Sequence, residues 1–198
     1  MKISEARFAG SSVRESGRPK RKLPEFAFIG RSNVGKSSLI NCLCNNNKLA
    51  MTSSTPGKTK VVNHFIINDS WYLVDLPGYG YAKMGKRAQN ELLDIIRDYI
   101  HNSGEMQVLF VLVDSRHDIG KTDLDFIAEL GENKVPFCII FTKCDKQGPV
   151  ALASQIEKDK QLLMQDWEEL PPMFCSSSQN GKGREEILDY IESILNNI

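Results

Sequence analysis

Short apolar runs alternate with longer segments of helical periodicity along most of this chain. Six runs have the length and composition of buried strands, at residues 25–29, 61–68, 71–76, 108–113, 136–141 and 173–175. Five segments carry apolar residues at helical spacing, at 38–44, 86–101, 122–130, 150–167 and 185–195. Runs that are apolar throughout suit strands covered on both faces. The pattern therefore predicts an α/β domain of three layers, with a mostly parallel six-stranded sheet in the middle.

Two boundaries can be predicted more closely. Asn68, Asp69 and Ser70 separate the second run from the third, which is typical of a hairpin turn. One strand should therefore run antiparallel to the others, at the edge of the sheet. In the third helical segment, Thr122 is a candidate cap and Gly131 a candidate end.

The composition is that of a globular domain, with 41% hydrophobic and 25% charged residues among 198. No apolar run approaches the roughly 20 residues that a membrane-spanning helix needs, and the N-terminal residues lack the apolar core of a secretory signal. The five cysteines include no CxxC pair, so reduced thiols are a better interpretation than a zinc site. These features favour a cytoplasmic location.

Positive charge is concentrated near the N-terminus, although the formal net charge is zero. Residues 2–22 contain seven Lys or Arg and two Glu, which leaves 18 basic and 23 acidic residues in 23–198. We therefore expect residues 1–22 to form a basic arm and 23–198 to form the folded domain. The arm is either a solvated tail or a segment attracted to the phosphate backbone of a nucleic acid.

The first loop with recognisable chemistry is GRSNVGKS, at 30–37, which fits the pattern GxxxxGK(S/T). It lies between a predicted strand and a predicted helix, where such a loop binds a nucleoside triphosphate. Its backbone N–H groups and the positive helix N-terminus would face the phosphates. Lys36 would reach the β- and γ-phosphates, and the Ser37 hydroxyl would bind Mg²⁺. The predicted contacts are Gly30, Arg31, Ser32, Asn33, Val34, Gly35, Lys36, Ser37 and Ser38.

A second loop, DLPG at 75–78, follows the strand predicted at 71–76. The Asp75 carboxylate can hold Mg²⁺ directly or through water, because carboxylate oxygens are ligands that Mg²⁺ prefers. The Gly78 N–H can approach a γ-phosphate. The pattern DxxG is weak alone, but its position at a strand end, after a phosphate loop, makes it more specific.

The third and fourth loops favour GTP over ATP. In TKCD, at 142–145, Asp145 can accept hydrogen bonds from N1–H and the 2-amino group of guanine, whereas adenine offers neither donor. The stem of Lys143 can lie over the base, beside Thr142. Ser176 and Ser177, after the last predicted strand, either bring backbone N–H groups to the guanine carbonyl or cap a helix.

Residues 52–60, TSSTPGKTK, lie between the first predicted helix and the hairpin. Their Pro-Gly pair and small polar side chains predict a mobile loop. Thr55 and Thr59 are both candidates to bind Mg²⁺ and to sense the γ-phosphate.

The order of these motifs resembles that of the TRAFAC class of P-loop GTPases. Three longer stretches, GRSNVGKSSLIN at 30–41, TPGKT at 55–59 and DLPGYGYAK at 75–83, are similar to the EngB (YihA/YsxC) family of bacterial GTPases. The resemblance covers nearly the whole chain, although CSSS at 175–178 stands where many GTPases have SAK. It implies a Ras-like GTPase domain that acts in assembly of the large ribosomal subunit and is needed for normal cell division.

The resemblance also implies particular roles for residues. It favours Thr59 over Thr55 as the Mg²⁺-binding threonine and adds Gly57 to the nucleotide contacts. The implied cofactors are GTP or GDP with Mg²⁺, and we expect a monomer. In related GTPases an asparagine at the position of Asn33 helps to bind K⁺, but Asn33 can also serve only the backbone geometry of the loop. The implied metal ligands are Ser37, Thr59 and Asp75, and the implied catalytic residues are Lys36, Thr59, Gly78 and Asn33.

Many GTPases place a glutamine directly after the glycine of DxxG, where it orients the attacking water. This chain has Tyr79 there, which predicts slow intrinsic hydrolysis that a partner raises. Alternatively, Tyr79 is a packing aromatic. Basic residues in 55–87, together with the arm at 14–22, predict an RNA-facing surface around the nucleotide entrance.

Two other functions fit part of the pattern. A GTPase switch could serve a partner other than the ribosome, and a P-loop nucleotide or metabolite kinase could use the same phosphate cradle. The TKCD loop and the absence of an evident second-substrate module argue against the kinase.

Overall fold

A computed structural model describes residues 1–51, 60–80 and 83–198 of the chain. The strands are β1 (Ala6–Ser12), β2 (Glu25–Gly30), β3 (Val62–Ile67), β4 (Trp71–Asp75), β5 (Met106–Asp114), β6 (Phe137–Thr142) and β7 (Met173–Cys175). The helices are α1 (Lys36–Cys44), α2 (Lys86–Asn102), α3 (Lys121–Glu132), α4 (Pro149–Met164) and α5 (Arg184–Leu195). Each of the six predicted strands and five predicted helices is present, within a few residues of its predicted bounds.

The strands form one sheet in the order β1-β3-β4-β2-β5-β6-β7. Strand β3 is antiparallel to β1 and to β4, and the remaining neighbours pair in parallel. The structure therefore confirms the α/β class and the mostly parallel sheet. It also adds a strand: over the described residues the sheet has seven strands, and the reversed strand β3 lies second from the edge.

The extra strand comes from the predicted arm. Pairing between β1 and β3 runs from Ala6 opposite Ile67 to Ser12 opposite Val62, with a register shift between Phe8 and Gly10. Its sequence, ARFAGSS, lacks a clear alternation because the strand covers only the sheet edge, and Phe8 is 57% exposed. Part of segment 1–22 is therefore integral to the folded domain, contrary to the boundary predicted at residue 22.

The basic segment after β1 is anchored at the end of the sheet opposite the phosphate loop. Arg18 forms an ion pair with Asp98 of α2 at 2.9 Å, and Arg21 pairs with Asp69 at 2.6 Å. Asp69 lies in the turn that precedes β4, whereas Asp75 ends β4 at the edge where the phosphate loop begins. The predicted single surface, formed by this segment and the nucleotide entrance, was therefore wrong for residues 18–22.

Two apolar layers hold the helices against the sheet. Because side chains alternate along a strand, Phe26 and Phe28 of β2 face the layer under α1 and α5, whereas Ala27 and Ile29 face the layer under α2, α3 and α4. All four side chains are fully buried. Burying a side chain as large as Phe28 contributes about 1.5–3 kcal/mol to folding. None of the helices in the described part of the chain has the length and apolar character that crossing a membrane requires.

Helix α3 extends past the predicted end at Gly131. A Cβ atom at Gly131 would lie 2.3 Å from the Trp167 ring, so this glycine makes room for the indole and does not end the helix. The packing of Trp167, which follows α4 in the chain, thus explains a glycine that a local rule interprets as a helix end.

Candidate nucleotide-binding site

The structure brings the predicted loops together at one edge of the sheet. The segments after β2, β4, β6 and β7 all leave the carboxyl ends of strands that run in the same direction. Such an edge is where ligands bind in open α/β sheets. Thr55, Gly57 and Thr59 lie outside the described residues.

The loop from Gly30 to Gly35 curls through two left-handed residues before α1 begins. Gly35 has φ of 101° and Asn33 has φ of 64°. Glycine reaches this region without a steric penalty, and asparagine is one of the few other residues that tolerate it. The backbone geometry alone thus gives a reason for Asn33. The N–H groups of the first turn of α1 have no partner within the helix, so they and the helix dipole favour an anion at this place.

Lys36, the first residue of α1, contacts the carboxylate of Asp75 at the end of β4. Both side chains are largely buried. The loop therefore pairs an ammonium with a carboxylate, and Ser37, which carries the predicted metal-binding hydroxyl, follows Lys36 directly in the first turn of α1. Removing either charged partner would leave a buried charge uncompensated.

Residues 78 and 79 lie against the phosphate loop. The Tyr79 N–H donates to the Gly30 carbonyl at 3.1 Å, and the Ser32 N–H donates to the Tyr79 carbonyl at 3.1 Å. The Tyr79 ring points into the core, where its hydroxyl donates to Asp123 at 2.8 Å. Tyr79 is therefore a packing aromatic, and its side chain does not occupy the place of a water-orienting glutamine.

The TKCD loop is tied to the phosphate loop by two side chains. The Thr142 hydroxyl donates to the Val34 carbonyl at 2.7 Å, and the Lys143 ammonium donates to the Asn33 carbonyl at 2.9 Å. Lys143 also pairs with Asp114, the last residue of β5, at 3.3 Å. Partial burial would raise the pKa of Asp114, but hydrogen bonds from Arg116 and the charge of Lys143 lower it to about 2.

The loop after β7 completes the base side of the site. The Ser177 hydroxyl donates to Asp145 at 2.8 Å and holds the pKa of that carboxyl below its usual range. The Ser176 N–H donates to the Phe141 carbonyl at 2.8 Å, which fixes the loop to the end of β6. A cavity opens between these loops and α1, lined by Gly35, Ser38, Leu39, Thr142, Lys143, Asp145, Lys146, Ser176, Ser178 and Gln179.

Several residues in and around this site were not predicted from the sequence. Four of the residues that line the cavity were missed, namely Leu39, Lys146, Ser178 and Gln179, and so was Asp114, which holds Lys143. The position of Asp114 at a strand end was a signal for it. Asp123, the partner of Tyr79, carries no such signal, because nothing in the sequence links two residues so far apart.

These loops define a class of protein. Residues 25–143, more than half of the chain, match the family model described as 50S ribosome-binding GTPase. The fold is similar to that of a crystal structure described as a probable GTP-binding protein EngB, at a TM-score of 0.69 and 22% identity over 88% of this chain and 100% of that one. It is also similar to Era of Aquifex aeolicus, at 0.67 and 21% identity over 86% of this chain and 56% of that one. The chain is therefore a P-loop GTPase.

Proteins of similar sequence identify the family within this class. A protein of Phocaeicola vulgatus named probable GTP-binding protein EngB is 56% identical over 98% of this chain and 97% of its own length. The protein of the same name from Christiangramia forsetii is 48% identical over the full length of both. The chain belongs to the EngB family of GTP-binding proteins.

Proposed function

We propose that this protein is a GTP-driven switch that binds the maturing large ribosomal subunit in the cytoplasm, as a monomer, and that normal cell division needs it. The observation that carries the proposal is the assembly of a phosphate loop and the Asp145–Ser177 pair at one sheet edge. The description of the matching family as 50S ribosome-binding supports the choice of partner.

In this proposal the backbone N–H groups of residues 30–38 hold the phosphates, and Asp145 accepts hydrogen bonds from guanine. Lys143 covers the base, and Ser176 and Ser177 support the loop around it. Lys36 contacts Asp75 in this structure, and its ammonium, which has three donors, would also reach the phosphate oxygens when nucleotide binds.

The residues present fit Mg²⁺. Asp75 and Ser37 offer a carboxylate and a hydroxyl oxygen beside the phosphate loop, and oxygen ligands of this kind suit a small hard cation. Thr59 would complete the set, with Gly57 next to the nucleotide. Mg²⁺ would supply positive charge that offsets the charge developing on the transferred phosphoryl group.

Slow intrinsic hydrolysis follows from the position of Tyr79. Its ring is in the core, so the side chain after Gly78 offers no amide to a water molecule. Asn33 would hold K⁺ beside the phosphates and supply further positive charge. A hydrolysis rate several-fold higher in KCl than in NaCl is expected, and equal rates in the two salts would eliminate the K⁺ site.

The experiment that tests the proposal is co-sedimentation of the protein with isolated 50S and 30S subunits, in a GTP analogue, in GDP and without nucleotide. We expect the protein to pellet with 50S subunits, most strongly with the analogue. The Asp145→Asn variant serves as a control, because its pelleting with 50S subunits should no longer depend on guanine nucleotide. Equal pelleting in all three states would contradict the switch.

The same preparation separates the alternatives. Equal affinity for ATP and GTP would favour a P-loop kinase, and strong GTP binding without 50S association would favour a GTPase that serves another partner. The Asp145–Ser177 pair at the cavity favours guanine and thus argues against the kinase.

A further inference from the structure

A buried tyrosine–carboxylate pair lies directly behind Gly78. Tyr79 is 3% exposed and Asp123 is 5% exposed, and the phenolic hydroxyl donates to the carboxylate at 2.8 Å. The Tyr79 ring also packs on Phe126 of α3, with 4.9 Å between ring centroids. Both contacts join residue 79 to helix α3, which carries none of the four nucleotide loops.

The backbone of the same residue is joined to the phosphate loop. Its N–H and carbonyl pair with Gly30 and Ser32, as a short parallel bridge. Residue 79 is thus held on one side by α3 and on the other by the phosphate loop. Gly78 immediately precedes it and is packed tightly: a Cβ atom there would lie 3.3 Å from the Gly30 carbonyl oxygen and from the Ser32 nitrogen.

The buried pair is suited to a permanent hydrogen bond. Burial raises the pKa of Tyr79 well above its usual value, so the hydroxyl keeps its proton and remains a donor. Burial also raises the pKa of Asp123, while the Tyr79 hydroxyl and the charge of Arg31 oppose that rise. Leaving a buried carboxylate without its donor costs more free energy of folding than a typical hydrogen bond contributes to stability.

We propose that Tyr79 and Asp123 are positioning residues for GTP hydrolysis: their hydrogen bond fixes the Gly78 N–H against the phosphate loop, where the γ-phosphate binds. The pair itself touches no nucleotide. It acts on recognition of the third phosphate, so it distinguishes GTP from GDP. This inference rests on the proposed function, because it assigns the γ-phosphate to Gly78.

A second buried tyrosine supplies a matched control. Tyr99 of α2 is fully buried, and its hydroxyl donates to Glu25 at 2.9 Å. Glu25 begins β2, so this pair lies at the end of the sheet opposite the phosphate loop. Tyr79→Phe and Tyr99→Phe both delete one hydroxyl that is bonded to a buried carboxylate, and we expect both to lower the melting temperature. Only the first should change nucleotide preference.

The test is calorimetric titration of the four variants Tyr79→Phe, Tyr99→Phe, Asp123→Ala and Asp123→Asn with GDP and with a non-hydrolysable GTP analogue, in Mg²⁺. We expect Tyr79→Phe and Asp123→Ala to lower the affinity for the analogue, relative to GDP, by about five-fold. Asp123→Asn keeps an oxygen acceptor for the Tyr79 hydroxyl and should stay within about two-fold of wild type. Turnover should show the same order, with kcat/KM for GTP reduced and inhibition by GDP unchanged.

The result that overturns the inference is an equal analogue-to-GDP ratio in Tyr79→Phe and Tyr99→Phe, because the Tyr79 bond would then serve stability alone. If Tyr79→Phe does not fold, the analogue-to-GDP affinity ratios of Asp123→Ala and Asp123→Asn are compared instead, and equal ratios in these two variants overturn the inference. Failure of the proposed function gives a different result: wild-type protein would then not pellet with 50S subunits, or would pellet equally in all three nucleotide states, whatever the ratios in the variants.

Discussion

Asp145 receives a hydrogen bond from the Ser177 hydroxyl, and its lowered pKa leaves a charged acceptor beside the cavity. Asp145→Asn would replace an acceptor by an amide that also donates. We expect GTP affinity to fall by about 100-fold or more, and affinity for xanthosine triphosphate, which has a carbonyl at C2, to rise. Calorimetry measures both. Asp118→Asn changes an exposed aspartate in the same way and should leave GTP affinity intact; unchanged GTP binding by Asp145→Asn would refute the assignment.

Gly183 is a second single residue on which the base side of the site depends. Its φ is 80°, and a Cβ atom there would lie 2.0 Å from the Cys175 carbonyl oxygen. Gly183→Ala should therefore lower the free energy of unfolding by about 3 kcal/mol or more and weaken GDP binding. Urea denaturation tests this, with Gly148→Ala as the control because Gly148 has φ of −67° and open space around its Cβ position. Equal effects of the two substitutions would contradict the steric argument.

At the scale of elements, Glu25 joins β2, β3 and α2 through a buried network. It is 6% exposed and accepts hydrogen bonds from His64 at 2.8 Å, Tyr99 at 2.9 Å and Ser103 at 2.7 Å. Burial alone would raise the pKa of Glu25, but the bonds from His64, Ser103 and Tyr99 outweigh it, and the pKa lies below its ordinary 4.5. A carboxyl with a lowered folded-state pKa stabilises the fold above its unfolded-state pKa, and this stability is lost as pH falls through the folded-state pKa.

Glu25→Gln should therefore cost about 1–3 kcal/mol at pH 7 and should flatten the fall in stability below pH 4.5. Urea denaturation at several pH values between 3 and 7 measures both effects. Glu157→Gln, which alters an exposed glutamate on α4, is the control and should follow wild type. If the free energy of unfolding of Glu25→Gln falls as steeply below pH 4.5 as that of wild type, other groups govern acid stability.

The elements also show how far sequence reasoning reaches. Strands β2 to β7 were predictable because each is a mainly apolar run, buried in β2 to β6 and partly buried in β7. The four nucleotide loops followed because each leaves a strand end. Strand β1 could not be predicted, because an edge strand such as ARFAGSS is specified by its pairing with β3 and not by its own pattern of apolar and polar residues. The Tyr79–Asp123 hydrogen bond could not be predicted from the sequence either, because it depends on how α3 packs against the sheet.

At the scale of the whole molecule, the basic residues 18–22 and the nucleotide site lie at opposite ends of the sheet. Residues 2–22 contain seven Lys or Arg and two Glu in a chain whose formal net charge is zero, and Arg18 and Arg21 anchor the end of this segment through Asp98 and Asp69. Lys20 and Lys22 are exposed beside these anchors, and neither forms an ion pair within the described residues. If the ribosome is the partner, Lys20 and Lys22 can both contact rRNA phosphates, because they lie on an anchored backbone away from the phosphate loop.

Reversing both charges, in the double variant Lys20→Glu and Lys22→Glu, should then weaken 50S association and reduce its salt dependence. The slope of log affinity against log salt concentration should shrink by about 2, since each phosphate contact contributes nearly one. GDP affinity should stay at the wild-type value because the nucleotide loops are at the other end of the sheet. The double variant Lys48→Glu and Lys134→Glu makes the same change in net charge at other exposed lysines and should bind 50S subunits as wild type does. Equal loss of binding in both double variants would assign the effect to net charge and not to this segment.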